Sequence, residues 1–263
     1  MIETTCGRGT EPPGLAVLVR GDVGELGVLR AAWLAAEVAG TPLVGTVLPD
    51  RRPGLGLLRA LTRGVITRWL DWRELVAGMA GDAVRCLVVA ASTWRAAARA
   101  IWPAAEHCPV YIQHRGSVAP AHHVLLAVDS AETNAALARR LAGLPLRSGI
   151  RVTVGHATVP SWACSMAGAL GYVPEVAIPG QEAALPWSPA PPGAGAACVH
   201  ATPLWGIRAL AEELRPDLVV LGLHTHRLRH PSLAHPVAWV LSRELDTDVA
   251  LCPLGHGRAS GGG

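Results

Sequence analysis

No lysine and no phenylalanine occur in the 263 residues, so all 23 basic side chains are arginine and only 4% of the chain is aromatic. Without lysine a Walker phosphate loop is excluded, because that loop sets an ammonium against the β- and γ-phosphates. No apolar run reaches the roughly 18 residues that cross a bilayer, so no membrane span is expected. Residues 1–13 are polar, with Cys6, Arg8 and Glu11, and lack the apolar core of a secretory signal. The expected location is therefore the cytoplasm. The cysteines (Cys6, Cys86, Cys108, Cys164, Cys198 and Cys252) form no CxxC pair and no metal-finger spacing. Buried, reduced thiols are the expectation in that compartment. A net charge of +3 is too small to imply a nucleic-acid partner.

What the chain does have is an internal repeat. An apolar run at 15–19 leads to Arg20-Gly21-Asp22 and an Ala/Leu-rich stretch at 25–39; a second at 124–128 leads to Asp129-Ser130 and a similar stretch at 132–142. Asp129 stands 107 positions after Asp22, and at that offset Glu25 falls on Glu132. Further runs match in order: 43–48 with 150–156, 86–91 with 218–223, and 110–113 with 249–252. Short buried strands alternating with helical patterns imply βαβ crossovers and parallel sheets covered on both faces. The expected fold is α/β: two tandem doubly wound units, 14–114 and 122–254, related by a pseudo-two-fold axis. The copies are unequal. The offset from Leu87 to Leu218 is 131, so the second unit carries about 24 extra residues, placed around 172–197 where Pro174, Pro179, Pro186, Pro189, Pro191 and Pro192 cluster. That stretch reads as a loop. The offset grows again to 139 at the last strand, which removes about eight residues from unit one between its fourth and fifth strands.

The end of the fourth run in unit two is diagnostic. Asp217-Leu218-Val219-Val220-Leu221-Gly222 is followed by Leu223-His224-Thr225, then by His235-Pro236-Val237, a helical stretch through Glu244, and the run 247–253. This resembles the universal stress protein family, whose fourth strand ends in a Gly-x2-Gly-x9-Gly-Ser/Thr loop. Such a loop is a phosphate cradle, built from close backbone N–H groups, a hydroxyl and a helix N-terminus. Here Gly222 is kept, while Thr225 and His235 stand in the second and third glycine positions. Pro236 replaces the Ser/Thr and brings neither N–H nor hydroxyl. In unit one the interval is gone, and Ala91-Ser92-Thr93 runs directly into a helix. The resemblance also assigns the acidic residue closing the first strand to the adenosine end of a nucleotide. Asp129 matches it, and Asp22 does so in unit one. Each Asp would equally serve as a cap for the helix that follows it. The resemblance further implies that the last strands of the units meet within the chain.

Other constellations stand beside this one. His224, His226, His230 and His235 have the density of a zinc or copper site, or, with Arg227 and Arg229, of an anion site built from side chains. Residues 21–27 miss the Gly-x-Gly-x-x-Gly fingerprint and read as a turn. Ser161 and Ser165 lack a nucleophile elbow. His156 and His200 close apolar runs, and His156 is the only candidate base. Residues 51–73 read as an amphipathic helix with an arginine face, and Trp69 and Trp72 are the tryptophans to check for exposure.

The resulting expectation is a non-enzymatic stress-response or regulatory protein. It would hold ATP or another adenine nucleotide weakly or not at all, through Asp129, Gly222, Thr225 and His235. The alternatives are a metal-binding protein using the 224–235 histidines and an enzyme acting on a nucleotide or other phosphorylated substrate. No catalytic residue and no metal ligand is assigned. A small-molecule ligand, a homodimer or a protein partner all stay open; nucleic acid and membrane do not.

Overall fold

Apolar runs rich in Val, Leu and Ile become strands here because helices cover both of their faces. The computed structural model describes residues 14–19, 32, 41–47, 63, 65–80, 84–114, 121–129, 131–141, 144, 149–158, 175–177, 194–224 and 236–254. Unit one supplies β1 (Gly14–Val19), β2 (Leu43–Val47), β3 (Arg68–Leu70), α1 (Trp72–Ala80), β4 (Val84–Ala90), α2 (Ala91–Ala105) and β5 (Val110–Gln113). Unit two supplies β6 (His123–Val128), α3 (Ala131–Leu141), β7 (Arg151–Thr158), β8 (Glu175–Ala177), β9 (Gly195–His200), α4 (Pro203–Leu214), β10 (Leu218–His224), α5 (Pro236–Glu244) and β11 (Asp248–Leu254).

The described strands form one sheet of 11, ordered β3-β2-β1-β4-β5-β11-β10-β6-β7-β9-β8. Every pairing is parallel except β5 with β11 and the β8–β9 hairpin. Read outward from β5 and from β11, the first five strands follow the same order, and β8 adds a sixth at the edge of unit two. The two expected sheets are thus joined edge to edge, as antiparallel pairing of two parallel units allows. One face buries Leu75 and Met79 of α1, Trp94 and Ile101 of α2, Ile207 and Leu210 of α4, and Leu241 of α5. The other buries Leu137 of α3 with Val124, Leu126 and Val128 of β6. Strands covered on both faces need no polar alternation, and β11 is buried at every position. Among the described residues, no helix is long and apolar enough to cross a membrane.

Tyr111 pairs with Ala250 at the middle of the seam, flanked by Val110 with Leu251 and Ile112 with Val249. A two-fold through that pair makes Val110 equivalent to Val249, an offset of 139. The ladders carry the equivalence outward. Leu87 pairs with Val110 and Val219 with Val249, so the fourth strands are offset by 132. Ala16 pairs with Leu87 and Leu125 with Val219, so the first strands are offset by 109. This corrects the offset of 107 read from the paired aspartates. Residues beyond a strand end can slip by two, whereas a hydrogen-bonded register cannot. Asp129 is the first residue after β6, and both Arg20 and Asp22 lie outside the described residues.

Three further expectations change. The Pro-rich insertion is not all loop: Glu175–Ala177 pairs antiparallel with β9 and extends the sheet edge. Residues 68–70 are not helical, because the Trp69 ring covers Gly45, where an added Cβ would lie 2.8 Å from Cε3. That stack holds β3 against β2 and overrides the local helical spacing. The helix begins only at Trp72, behind a capping box in which Asp71 Oδ1 accepts from the Glu74 N–H (2.7 Å) and Glu74 Oε2 from the Asp71 N–H (3.1 Å). Trp69 and Trp72 are half-buried, and the exposed large apolar side chain among the described residues is Trp205, on α4.

The seam is also tied by side chains. Asp248, buried at the head of β11, accepts from the Tyr111 hydroxyl (2.7 Å) and the His114 N–H (2.8 Å). Trp94 donates Nε1–H to Ser242 Oγ (3.0 Å). Its ring lies 5.8 Å from Trp102, which meets Trp239 edge-on at 5.4 Å. Helices α2 and α5, one from each unit, are thereby packed together.

Candidate functional site

In an open parallel sheet a ligand crevice forms outside the carboxyl ends of two neighbouring strands whose connections run in opposite directions. The sheet order supplies two such places, between β1 and β4 and between β6 and β10. In the second, Asp129 is the first residue after β6 and is exposed. One of its carboxylate oxygens accepts the hydroxyl proton of Thr133, a buried residue in the first turn of α3. That bond, side chain to side chain, ties the carboxylate to the start of α3 and leaves it at the mouth of the crevice. Thr133 was not singled out in the sequence, although its i, i+4 spacing from Asp129 was there to be read.

Gly222 lies inside β10, one residue beyond Leu221, the partner of Ala127. An added Cβ would come within 2.5 Å of Leu254 Cδ1. Leu254 thus occupies the space that a side chain at 222 would need, so this glycine serves packing within the strand. Thr225 and His235 lie outside the described residues, as do His226 and His230; His224 ends β10. Helix α5 starts at Pro236, which leaves its first turn one donor short. Among the described residues, no group of three His, Cys, Asp or Glu side chains could hold a metal ion.

The corresponding place in unit one has no loop after its fourth strand. Strand β4 ends at Ala90 and α2 begins at Ala91, with no side-chain cap on Ala90 and with Thr93 and Trp94 buried. No residue is left between strand and helix to wrap a phosphate.

His156 is buried, and its Nδ1 donates to the carbonyl of Val128 (2.8 Å), since a carbonyl can only accept. That anchors the ring beside the end of β6 as a structural histidine. The groups whose titration burial displaces most lie elsewhere, at the seam. Burial pushes the Cys108 and Cys252 thiols up to about 12 and the Cys86 thiol well above its ordinary value. Tyr111 is raised by burial and then by Asp248, and His114 is lowered by burial. Cys86, Cys108, Cys198 and Cys252 are all free thiols and buried. Displaced titrations often mark a functional site; here they follow from apolar packing of the joint.

An exposed carboxylate is an acceptor only, so the crevice suits a ligand presenting hydroxyl or amino groups and disfavours phosphate beside Asp129. The fold has counterparts among known proteins. The chain is similar along 94% of its length to a universal stress protein from Archaeoglobus fulgidus, with 11% identity, a TM-score of 0.56 and 99% of that chain covered. It is similar along 93% of its length to a functionally unknown protein from Pseudomonas aeruginosa, with 14% identity, a TM-score of 0.58 and 93% of that chain covered. No curated protein matches significantly. The model of the universal stress protein family matches residues 120–253, just over half of the 263. The chain belongs to the universal stress protein family.

Proposed function

We propose that the chain is a tandem of two universal stress protein units acting as a non-enzymatic stress-response regulator in the cytoplasm. Unit two holds an adenine nucleoside or nucleotide weakly, by its adenosine end, and unit one is a scaffold. The observation that carries this reading is the contrast between the two switch points. Asp129 stands exposed at one, and at the other β4 enters α2 without an intervening loop. A carboxylate at the first-strand end can accept from ribose hydroxyls, while Pro236 and the non-glycine residues Thr225 and His235 leave few donors for phosphates. The strand order, repeated outward from β5 and β11, and the length of the structural matches support the tandem arrangement. The structural role of His156 supports the non-enzymatic one.

The reading predicts that phosphates add nothing. With a Kd on the order of 100 μM, or about −5.5 kcal/mol, ligand at 1 mM stabilises the fold by roughly 1.4 kcal/mol. That raises Tm by about 3–5 °C. Adenosine, AMP and ATP should give the same rise within error in a thermal-shift assay with Mg²⁺. A rise with ATP that adenosine does not produce would show a working phosphate cradle and overturn the assignment.

A further inference from the structure

Cys198 differs from the other described thiols. Cys86 and Cys108 direct their sulfur at main-chain carbonyls (3.9 and 3.6 Å), and both, with Cys252, are sealed in the core by 0–3% exposure. Cys198 retains 8% exposure, and its sulfur lies 3.9 Å from Thr158 Oγ1. Thr158 Oγ1 in turn lies 2.9 Å from His200 Nδ1, and His200 is exposed. The register explains the grouping. Cys198 pairs with His156 and His200 with Thr158 in the β7–β9 ladder. Partners in a ladder project to the same face, so the four residues share one face at the carboxyl end of the sheet. Glu175 of β8 is the register partner of His200 from the other side. His156 is committed to the Val128 carbonyl through Nδ1 and takes no part.

The single hydroxyl proton of Thr158 has three possible acceptors, His200 Nδ1 at 2.9 Å, the Val199 carbonyl at 3.4 Å and the Cys198 sulfur at 3.9 Å. Given to the nearest, it leaves the Thr158 oxygen to accept from the Cys198 S–H. The contacts then run in one direction, from thiol to hydroxyl to a solvent-facing imidazole. We propose that Cys198, Thr158 and His200 form a proton relay that makes Cys198 the peroxide-reactive thiol among the described cysteines. The thiol proton moves to Thr158 while the Thr158 proton moves to His200. The thiolate attacks one oxygen of hydrogen peroxide, the S–O bond forms and the O–O bond breaks. The departing hydroxide takes the relayed proton from His200 and leaves as water. Sulfur is oxidised to a sulfenic acid and peroxide is reduced.

The test is peptide-resolved trapping with dimedone after brief exposure of the full-length protein to hydrogen peroxide, across pH 5–9. Cys198 should react at least about 100-fold faster than Cys86, Cys108 and Cys252, the lower end of what positioned proton transfer supplies. Thr158→Val and His200→Gln should each remove that advantage at pH 7 while leaving alkylation in urea unchanged. His200 is exposed, so its substitution tests the relay even where Thr158→Val fails to fold. Equal labelling of all four thiols, or a Cys198 rate that survives His200→Gln, would overturn the relay.

Discussion

Trp94→Ala lowers the unfolding free energy by about 3–5 kcal/mol, the range for emptying a buried tryptophan site. The side chain is completely buried on α2 and hydrogen-bonded to Ser242 on α5, 148 residues away in sequence. Truncation opens a cavity beside Trp102 and removes the indole donor that Ser242 accepts. Trp102 then loses one aromatic neighbour and keeps Trp239 of unit two. Trp94→Phe keeps most of the filling and loses the hydrogen bond, so its cost is nearer 1 kcal/mol. Urea denaturation of the three proteins measures both steps. A Trp94→Ala protein within 1 kcal/mol of the parent would mean that packing of α2 on α5 does not hold the units together.

The second large effect is the pH range of the fold. In the unfolded chain a cysteine titrates near 9.0, whereas Cys108 and Cys252 stay protonated in the native state up to about 12. Above pH 9 the unfolded state therefore loses protons that the native state keeps, and stability falls as pH rises. Each thiol contributes up to about 1.4 kcal/mol per pH unit, so these two remove about 3 kcal/mol by pH 10. Cys86 and Tyr111, also raised, act in the same direction. On the acid side the sign reverses. His114 and His123 are lowered below 6.5, so the unfolded chain gains protons first and stability falls as pH drops below that value.

The geometry at both imidazoles agrees. His114 Nε2 donates to the Ser242 carbonyl, and its Nδ1 is buried with no acceptor for a second proton. Asp246 and Asp248 favour the charged form, but burial and Arg95 outweigh them. His123 Nδ1 already accepts from Arg151, and its Nε2 faces Thr153. Denaturation midpoints between pH 5 and 11 should form a plateau from about 6.5 to 9. The alkaline limb should be shallower in a Cys108→Ala/Cys252→Ala variant. A midpoint unchanged at pH 10 would contradict the burial of these thiols.

The alternation of buried strands and helices was legible in the sequence because runs such as 218–223 are apolar without period-two breaks. β3 was not, since three residues fix no period and what makes them a strand is a tryptophan stacked on a distant glycine. β8 was hidden by the prolines on both sides of it. The repeat itself was visible, but its register was not. Paired aspartates suggested 107, while the ladders set 109 for the first strands. At the site, the position of Asp129 followed from its place after a strand. The packing role of Gly222 did not, because Leu254 reaches it across the β10–β11 ladder. The relay from Cys198 to His200 joins residues about 40 positions apart in sequence, linked only by strand pairing.

The central claim is a single adenosine crevice, in unit two, gated by one carboxylate. Calorimetric titration of the purified protein with adenosine, run beside Asp129→Ala, measures it directly. The account predicts one site per chain with a Kd on the order of 100 μM, lost in Asp129→Ala while that variant stays folded, destabilised by about 1–3 kcal/mol through loss of the Thr133 hydrogen bond. Two sites per chain, a site that survives Asp129→Ala, or no heat at millimolar ligand would contradict it.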